Sequence, residues 1–571
     1  MHYVDFRVSR IRAWHLLLIA LLASAVLLAH APLARAATLI VTRPDDPAPD
    51  GCTPDDCSLR EAIIAANAAA GADRVSLPAG TYLLAIAGTN EDAGSTGDLD
   101  ISDTLLLTGA GISQTTIDGQ QLDRVLDLRS GELTISGITI QHGQSAPPEN
   151  GGGIRSAGAL TIFGSAVISN TAGQAFQGGD GGGLYSTNQL SISASVIEHN
   201  TSGGNGGGLS AHSSTTLADT RVSHNYGQAS IGGIDNTGNL TITNGLVSEN
   251  RSGEGSAGGI SNTGHLRIRG STITKNNASD GSGGGIFNSA PGVLELVDSQ
   301  VTYNQGSGNT WGGGGILNTG TLTVTASSIS YNSIGAWSGG GIANRGTATV
   351  RTSTIAHNHS GEYGGGIGNT GTLLLEQSAI ISNEVALDGA AIEIESGGVI
   401  TLTNSTVSGN FAQGHGGGID NHGSLTLNNA TITNNQSIDR GAGIASDGTV
   451  KLSNSILARN HGFDCAAILQ SHGHNLIGDI SGCTFTAAPG DLAGDADSPL
   501  DPQIGPLAMP GGATPSHTPL AASPAINAGD TATCAPFDQR HLARPQGSAC
   551  DIGAVERGWL VYLPLITTNG E

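Results

Sequence analysis

Two short signatures recur along this chain about every 25 to 30 residues, and their spacing restricts the fold more than any other property of the sequence. The first is Gly-Gly-aliphatic or a close relative of it. It ends at Ile154, Leu184, Leu209 and nine further positions up to Ile444. The second is an aliphatic residue, two further residues and an asparagine. It runs from Asn170 through Asn250, Asn276, Asn304 and Asn332 to Asn460. Each marker counts twelve units. Repetition at this period indicates stacked supersecondary units, since one such unit cannot bury a hydrophobic face by itself.

Inside a unit the period is two. Leu322 and Val324 flank Thr323, and Ile329 lies between Ser328 and Ser330. Such alternation predicts short strands with one buried face. Asn-Thr-Gly or Asn-Arg-Gly after the first strand is turn chemistry, expected to use positive φ. Three short strands and two turns occupy about twenty residues, and a loop of variable length completes the unit. Leucine-rich repeats and propeller blades are excluded by the missing Leu-x-x-Leu-x-Leu spacing, helix and Trp-Asp signature. The predicted class is all-β: a single-stranded parallel β-helix of about twelve or more coils. At the spacing of hydrogen-bonded strands, twelve coils extend roughly 58 Å. The recurrent asparagines are expected to point inward and form a ladder along the bend. Glycine is abundant (88 of 571 residues) and aromatics make up 4%, which suits a narrow core. The regular aliphatic spacing argues against disorder.

The ends differ from the middle. Residues 1–36 read as a secretory leader, with Arg7, Arg10 and Arg12 ahead of an apolar stretch and Ala34-Arg35-Ala36 as the cleavage site. Without it, the chain has nineteen basic and forty-six acidic residues, a net charge of −27. Only Lys275 and Lys451 are lysines. A surface this acidic repels phosphate backbones, so nucleic acid is not an expected partner. The six cysteines form three local couples: Cys52 with Cys57, Cys465 with Cys483, and Cys534 with Cys550. An even count in a secreted chain favours disulfides, and local pairing is the expectation among 15 arrangements. The segment CSLREAIIAANAAAG, from Cys57 to Gly71, predicts a short capping helix. Ser58 and Glu61 form its capping box and Gly71 its stop.

The motif CSLREAI resembles the domain of that name at the start of many bacterial surface proteins. GTYLL, LLLTGAGISQTTIDG and LTISGITIQHG resemble the first coils of pectin-lyase-like β-helix proteins, and the glycine-rich units are similar to polymorphic outer-membrane-protein repeats. DCAAILQSHGHNLIGDISGC, SPAINAGD, DQRHLARP and CDIGAVE resemble the choice-of-anchor Q domain. The resemblance implies a secreted or surface-displayed right-handed β-helix and carries over no catalytic residue. It divides the chain into a leader (1–36), an N-terminal cap with first coils (37–110), the repeats (111–460), a disulfide-stabilised C-terminal cap (461–557) and an apolar tail (558–571). That tail has no LPxTG motif and no apolar run long enough to span a bilayer.

Aligning units on the Gly-Gly-aliphatic marker locates candidate chemistry. Four places before it, successive coils carry Tyr363, Asp388, His415 and Arg440. One place after it, Glu393 and Asp420 are stacked neighbours, expected to face outward roughly 5 Å apart. That is close to the carboxyl separation of retaining glycosidases. Asp388 and His415 would serve as acid–base partners or metal ligands. Trp311 and Trp337 occupy matching loop positions and would form a sugar platform if stacked. Scattered outward charges and packed loop tryptophans are the ordinary features of any solenoid. GGDGGGLYS places Gly183 where a calcium roll needs aspartate, so the motif does not indicate calcium, which the acidic surface still allows, and no cofactor is assigned. The sequence therefore favours a monomeric, non-catalytic rod presenting loops for adhesion to an extracellular polysaccharide or a neighbouring cell surface. A polysaccharide lyase or glycoside hydrolase acting on the lateral face is the alternative, and a structural spacer the third.

Overall fold

The computed structural model describes residues 36–89, 91–174, 177–307 and 312–558. The leader, apart from Ala36, and all of the apolar tail after Gly558 lie outside them, as does Trp311. The chain winds as a right-handed parallel β-helix, and every named strand pair is parallel. One coil illustrates the plan. Ile316–Asn318 contributes to sheet I, Thr321–Thr325 to sheet II, Ser328–Ser330 to sheet III and Ser333–Ile334 to sheet IV. This coil therefore has four strands where the sequence predicts three. The fourth is only two residues long, too short for alternation to reveal. Sheet I alone contains fifteen strands, so the solenoid extends beyond the twelve marked units at both ends.

Every coil sends about four aliphatic side chains inward. Ile316, Leu322, Val324 and Ile329 lie under Ile342, Ala348, Val350 and Ile355, all at most 1% exposed. In-register pairing sets equivalent residues directly above one another, Leu294 to Leu322 to Ala348 for example. The core is a continuous column that no coil could enclose alone, which is why the weak unit is repeated.

The corners use three different devices. Between sheets III and IV one residue adopts left-handed backbone, Tyr331 at φ 56° and His357 at φ 55° among them. Side chains other than glycine tolerate this conformation at about 1–2 kcal/mol each. The asparagine that follows offsets it. Asn332 Oδ1 accepts from the backbone N–H and Nδ2 of Asn304 at 3.0 Å each, and its own Nδ2 donates to Val301 O (2.9 Å) and Asn358 Oδ1 (3.0 Å). This ladder runs from Asn170 to Asn460 and ends on Asp464. Between sheets II and III a left-handed residue precedes a serine ladder, in which Ser271 N–H donates to Ser299 Oγ at 3.1 Å. Between sheets I and II the Asn-x-Gly turn departs from expectation. Its asparagines have no positive φ. They point inward as a second ladder, with Asn236 Nδ2 donating to Asn262 Oδ1 at 2.6 Å and Asn262 Nδ2 to Asn288 Oδ1 at 2.7 Å. The glycine is there for close approach: a Cβ on Gly264 would meet Gly238 O at 2.0 Å.

At the N-terminus the capping helix spans Leu59–Ala68, with Ser58 as N-cap and the capping box to Glu61 complete. Gly71 does not end it. Ala69 is the C-cap, in extended backbone, and Gly71 (φ 122°) belongs to the following turn. Leu59, Ala62, Ile63 and Ala66 are buried, and the helix packs on the first strand of sheet I, where Asn67 Nδ2 donates to Asp100 O at 2.8 Å. After Asn460 the chain continues the coil through Leu492–Ala493. It then returns along the flank of sheet III, where Thr406 donates to Gln539 Oε1, Ser408 meets His517 and Thr431 accepts from Ala554 N–H. This segment is thus a lateral strap as well as an end cover.

All three local cysteine couples are disulfide-bonded. Cys52 joins Cys57 ahead of the capping helix. Cys465, on a buried strand of sheet I, joins Cys483, which is partly buried and packs against the core where the last coils close. Cys534 joins Cys550 within the strap, and Cys550 is fully buried there. Cys483 and Cys550 are therefore framework residues with no part in the candidate chemistry below. Among the described residues no helix is long and apolar enough to cross a membrane.

Candidate functional site

Charged side chains on this acidic rod gather at two places on the outer face of sheet I. The first was not singled out by the sequence. Leu99–Ile101, Leu126–Leu128 and Ile154–Ser156 are successive strands of sheet I, and their outward central residues Asp100, Asp127 and Arg155 stand in register. The loop from Glu91 to Asp98 and the turn from Ala146 to Glu149 wall Asp127 and Arg155 into a cavity of about 570 Å³, and Asp100 is buried beside it. Arg60, from the helix, fixes the first wall. It is fully buried, forms a two-pronged ion pair with Asp46 (2.8 and 3.0 Å) and donates to the carbonyls of Gly94, Gly97 and Asp98.

Within the cavity, arginine and carboxylate interlock. Arg124 pairs with Asp98 at 2.8 Å. Arg155 grips both oxygens of Asp127 (2.9 and 2.5 Å) and reaches Glu149 at 3.0 Å. Arg129 pairs with Asp92 and lies 3.6 Å from Asp127 and 3.8 Å from Asp100. Burial pushes Asp98 up to about 7 against the pull of Arg124, with Asp123, Asp100 and Asp127 adding to the rise. Burial and Asp127 push Asp100 up to about 6, opposed by the Gly94 N–H and Arg129. Arg129 and Arg155 keep about a third of their side-chain surface exposed, so their free N–H edges face the cavity. The site offers fixed donors and acceptors and one carboxyl that holds its proton near neutral pH.

The second place is the one the marker alignment selects. Ser338, Tyr363 and Asp388 bridge in register, Gly389 N–H donates to His415 O, and Gly416 N–H to Arg440 O. The four residues before the marker are therefore stacked as expected, with Asp388 Oδ1 accepting from His415 N–H at 2.6 Å. Glu393 and Asp420 pair in register as well. They are not surface groups, however: they are 3% and 4% exposed. The loop entering the strand folds over its outer face, so that a Cβ on Gly389 would come within 2.6 Å of Glu393 Oε2. Burial, then Asp420 and Asp388, hold Glu393 well above the ordinary carboxylate range. Burial raises Asp420 to about 6, opposed by His422. His422, three places after the marker, completes this group. Burial works against its charge, but the hydrogen bond to Asp447 and the Asp420 carboxylate raise it overall. A buried pair has no room for a sugar ring between its carboxyls, which removes the glycosidase geometry read from the sequence. Tyr363 (38% exposed) and Arg440 lie outside this group at the surface.

Trp337 is 42% exposed on its loop, and its N–H donates to Glu362 Oε2 at 3.1 Å. Its proposed stacking partner Trp311 falls outside the described residues. Exposed rings do stack elsewhere. Tyr303, Tyr331 and His357 occupy the left-handed corner before the asparagine ladder, with centroids 5.0 and 4.8 Å apart and planes within 10°. Their faces are turned to one another, leaving edges to solvent. The residues missed by the sequence, Asp100, Asp127, Arg155 and His422, occupy repeat positions. Extending the alignment back to Leu99 and Leu126, which lack the Gly-Gly signature, would have placed the first three on the same file as Glu393.

No family model and no curated protein sequence matches the chain. Among solved structures it is similar to the A-module of mannuronan C-5 epimerase AlgE6 from Azotobacter vinelandii (16% identity, TM-score 0.29, 69% of this chain and 95% of that one). It is also similar to pectate lyase Pel9A (13%, TM-score 0.20, 92% and 98%) and to the A-module of the Azotobacter vinelandii epimerase AlgE4 (15%, TM-score 0.27, 78% and 97%).

Proposed function

We propose that this protein is a secreted or cell-surface β-helix that binds an extracellular polysaccharide in the cavity of its N-terminal coils. The observation that carries the reading is the cavity itself. Its volume is that of a small-molecule site, and Arg124, Arg129 and Arg155 are held in place by their own carboxylate partners. A hydroxyl-rich ligand suits walls that offer both donors and acceptors, and arginine forks suit a sugar carboxylate. The leader-like N-terminus and the three disulfides support export. The rod acts as a monomer that presents this site and its loops to a polysaccharide or a neighbouring surface.

Cleavage of the bound chain is the second reading, and Asp98 favours it. A carboxyl pushed up to about 7 by burial at the wall of the cavity has a proton affinity suited to acid–base catalysis. A glycan array with product analysis on the mature protein separates the readings. Retention that is lost in Arg155→Ala, with no new chain ends, supports binding alone. Turnover that is lost in Asp98→Asn establishes the enzyme. No retained glycan of any class overturns both and leaves the structural spacer.

A further inference from the structure

The group around Glu393 differs from the N-terminal cavity in what balances its charge. Among the described residues, the ion pairs of Glu393, Asp420 and Asp447 run to one side chain, His422. His422 Nδ1 lies 2.6 Å from Asp447 Oδ1, a carboxylate that can only accept, so this nitrogen carries the proton. In the neutral ring the Nε2 lone pair then faces two more carboxylates, Asp420 Oδ2 at 3.5 Å and Glu393 Oε1 at 3.8 Å. Three acceptors converging on one point repel one another unless a proton or a metal cation lies between them. The second oxygen of Glu393 adds an independent sign: Oε2 is buried and has no hydrogen-bond partner, in a side chain 5% exposed.

We propose that Glu393, Asp420 and His422 Nε2 form a site for a divalent transition-metal ion, with Asp447 orienting the imidazole. The ligand atoms lie within 4.8 Å of one another. Ligands about 2.1 Å from a tetrahedral zinc are about 3.4 Å apart, so only small movements close the site. A carboxylate on the far nitrogen of a metal-bound histidine is the usual outer-shell arrangement. One imidazole with two carboxylates selects zinc or a neighbouring first-row ion over calcium or magnesium, which prefer oxygen alone. The half-exposed edge of His422 leaves a side for solvent to complete the coordination. The ion would clamp two consecutive coils, Ile392–Ile394 and Ile419–Asn421. The other two clusters lack this combination. Asp98, Asp100 and Asp127 have three arginines, and Glu198, His199 and His224 lie at the surface with Arg221, Glu249 and Lys275 around them.

The test uses the mature protein dialysed against a chelator, then titrated calorimetrically with Zn²⁺, Mn²⁺ or Ca²⁺, with thermal unfolding measured alongside. The expected result is one equivalent of Zn²⁺ and a higher melting temperature, both lost in His422→Ala and in Glu393→Gln/Asp420→Asn. Asp447→Asn, a change at an exposed side chain, should bind about 10–100-fold more weakly. His224→Ala should bind as the parent does. No zinc equivalent in the parent overturns the site. So does an equivalent that survives His422→Ala or disappears in His224→Ala, or a preference for Ca²⁺ over Zn²⁺.

Discussion

Asp127 and Glu393 occupy the same outward position of sheet I, ten coils or about 50 Å apart. Each stands beside a second acid in the adjacent coil, Asp100 and Asp420 respectively. Glu393 is covered by the loop ahead of its own strand, and Asp127 lines a cavity walled by the loop and turn ahead of the neighbouring strands. The strand register treats both alike. What differs is the counter-charge. Near the N-terminus three arginines thread between the carboxylates and prop open a cavity. Near the C-terminus one histidine faces three carboxylates and the groups close together. A solenoid thus separates scaffold from chemistry. The ladders decide that acids stack, and the identity of one or two neighbours decides whether the stack opens into an arginine-lined cavity or closes around a histidine.

The largest effect is expected at Arg60. Its guanidinium is buried against Asp46 and three loop carbonyls. Arg60→Ala leaves an uncompensated buried carboxylate and frees the cavity wall. Breaking a buried pair from one side costs about 3–5 kcal/mol. Thermal unfolding should show that loss, and hydrogen exchange should rise across residues 91–98 while the coil around Glu393 stays protected. Equal loss of protection at both clusters would mean that the two regions are not independent units.

The fold was legible because the repeat states it many times over. Gly-Gly-Ile, the alternating Leu322 and Val324 and the recurrent asparagines all give the same answer. The site was less legible for physical reasons that can be named. Alternation tells that Glu393 points away from the core but not that Gly389 folds over it. Asp100 and Asp127 follow Leu99 and Leu126, where a helix and a charged loop replace the glycine-rich entry and hide the register. Arg60 reads as an ordinary helix residue until Gly94 and Asp98 are brought to it from over thirty residues away. His422 sits at a corner, outside the strand that carries its partners. Pairing in the coil below is written in the spacing; what a loop lays over it is not.

Asp235 tests the comparison from between its two halves. It lies on the same file, 7% exposed, and no ion pair to it occurs among the described residues. Burial, with a smaller contribution from Asp180, raises it to about 7. An acid whose folded pKa lies above its unfolded value near 3.8 binds more protons when folded. Its ionisation therefore lowers stability as pH rises between those values, and the full penalty is present above the folded pKa. Asp235→Asn should accordingly stabilise the protein by about 2–4 kcal/mol at pH 8. The gain should shrink steadily as pH falls from 7 to 4. A gain that does not vary with pH would show that packing, not charge, sets the stability at this position.

The smallest and most discriminating experiment replaces one carboxyl in each cluster in chelator-treated protein. Asp127→Asn takes an anion away from Arg155, which holds it with two hydrogen bonds. The guanidinium keeps Glu149, and one third of its surface is in water, so the loss should be about 1–3 kcal/mol. Glu393→Gln replaces a carboxyl that burial and its acid neighbours already hold toward the protonated form. Its amide can also donate a hydrogen bond toward Asp420, so without metal the variant should be as stable as the parent or up to about 1 kcal/mol more stable. The two substitutions are near-isosteric, sit on the same file and each replace one carboxyl by an amide. Opposite signs in the melting temperature would locate the difference between the clusters in their counter-ions. Equal losses would place it instead in the ladder of the coil, and the division between a sugar cavity and a cation site would fail together with its premise.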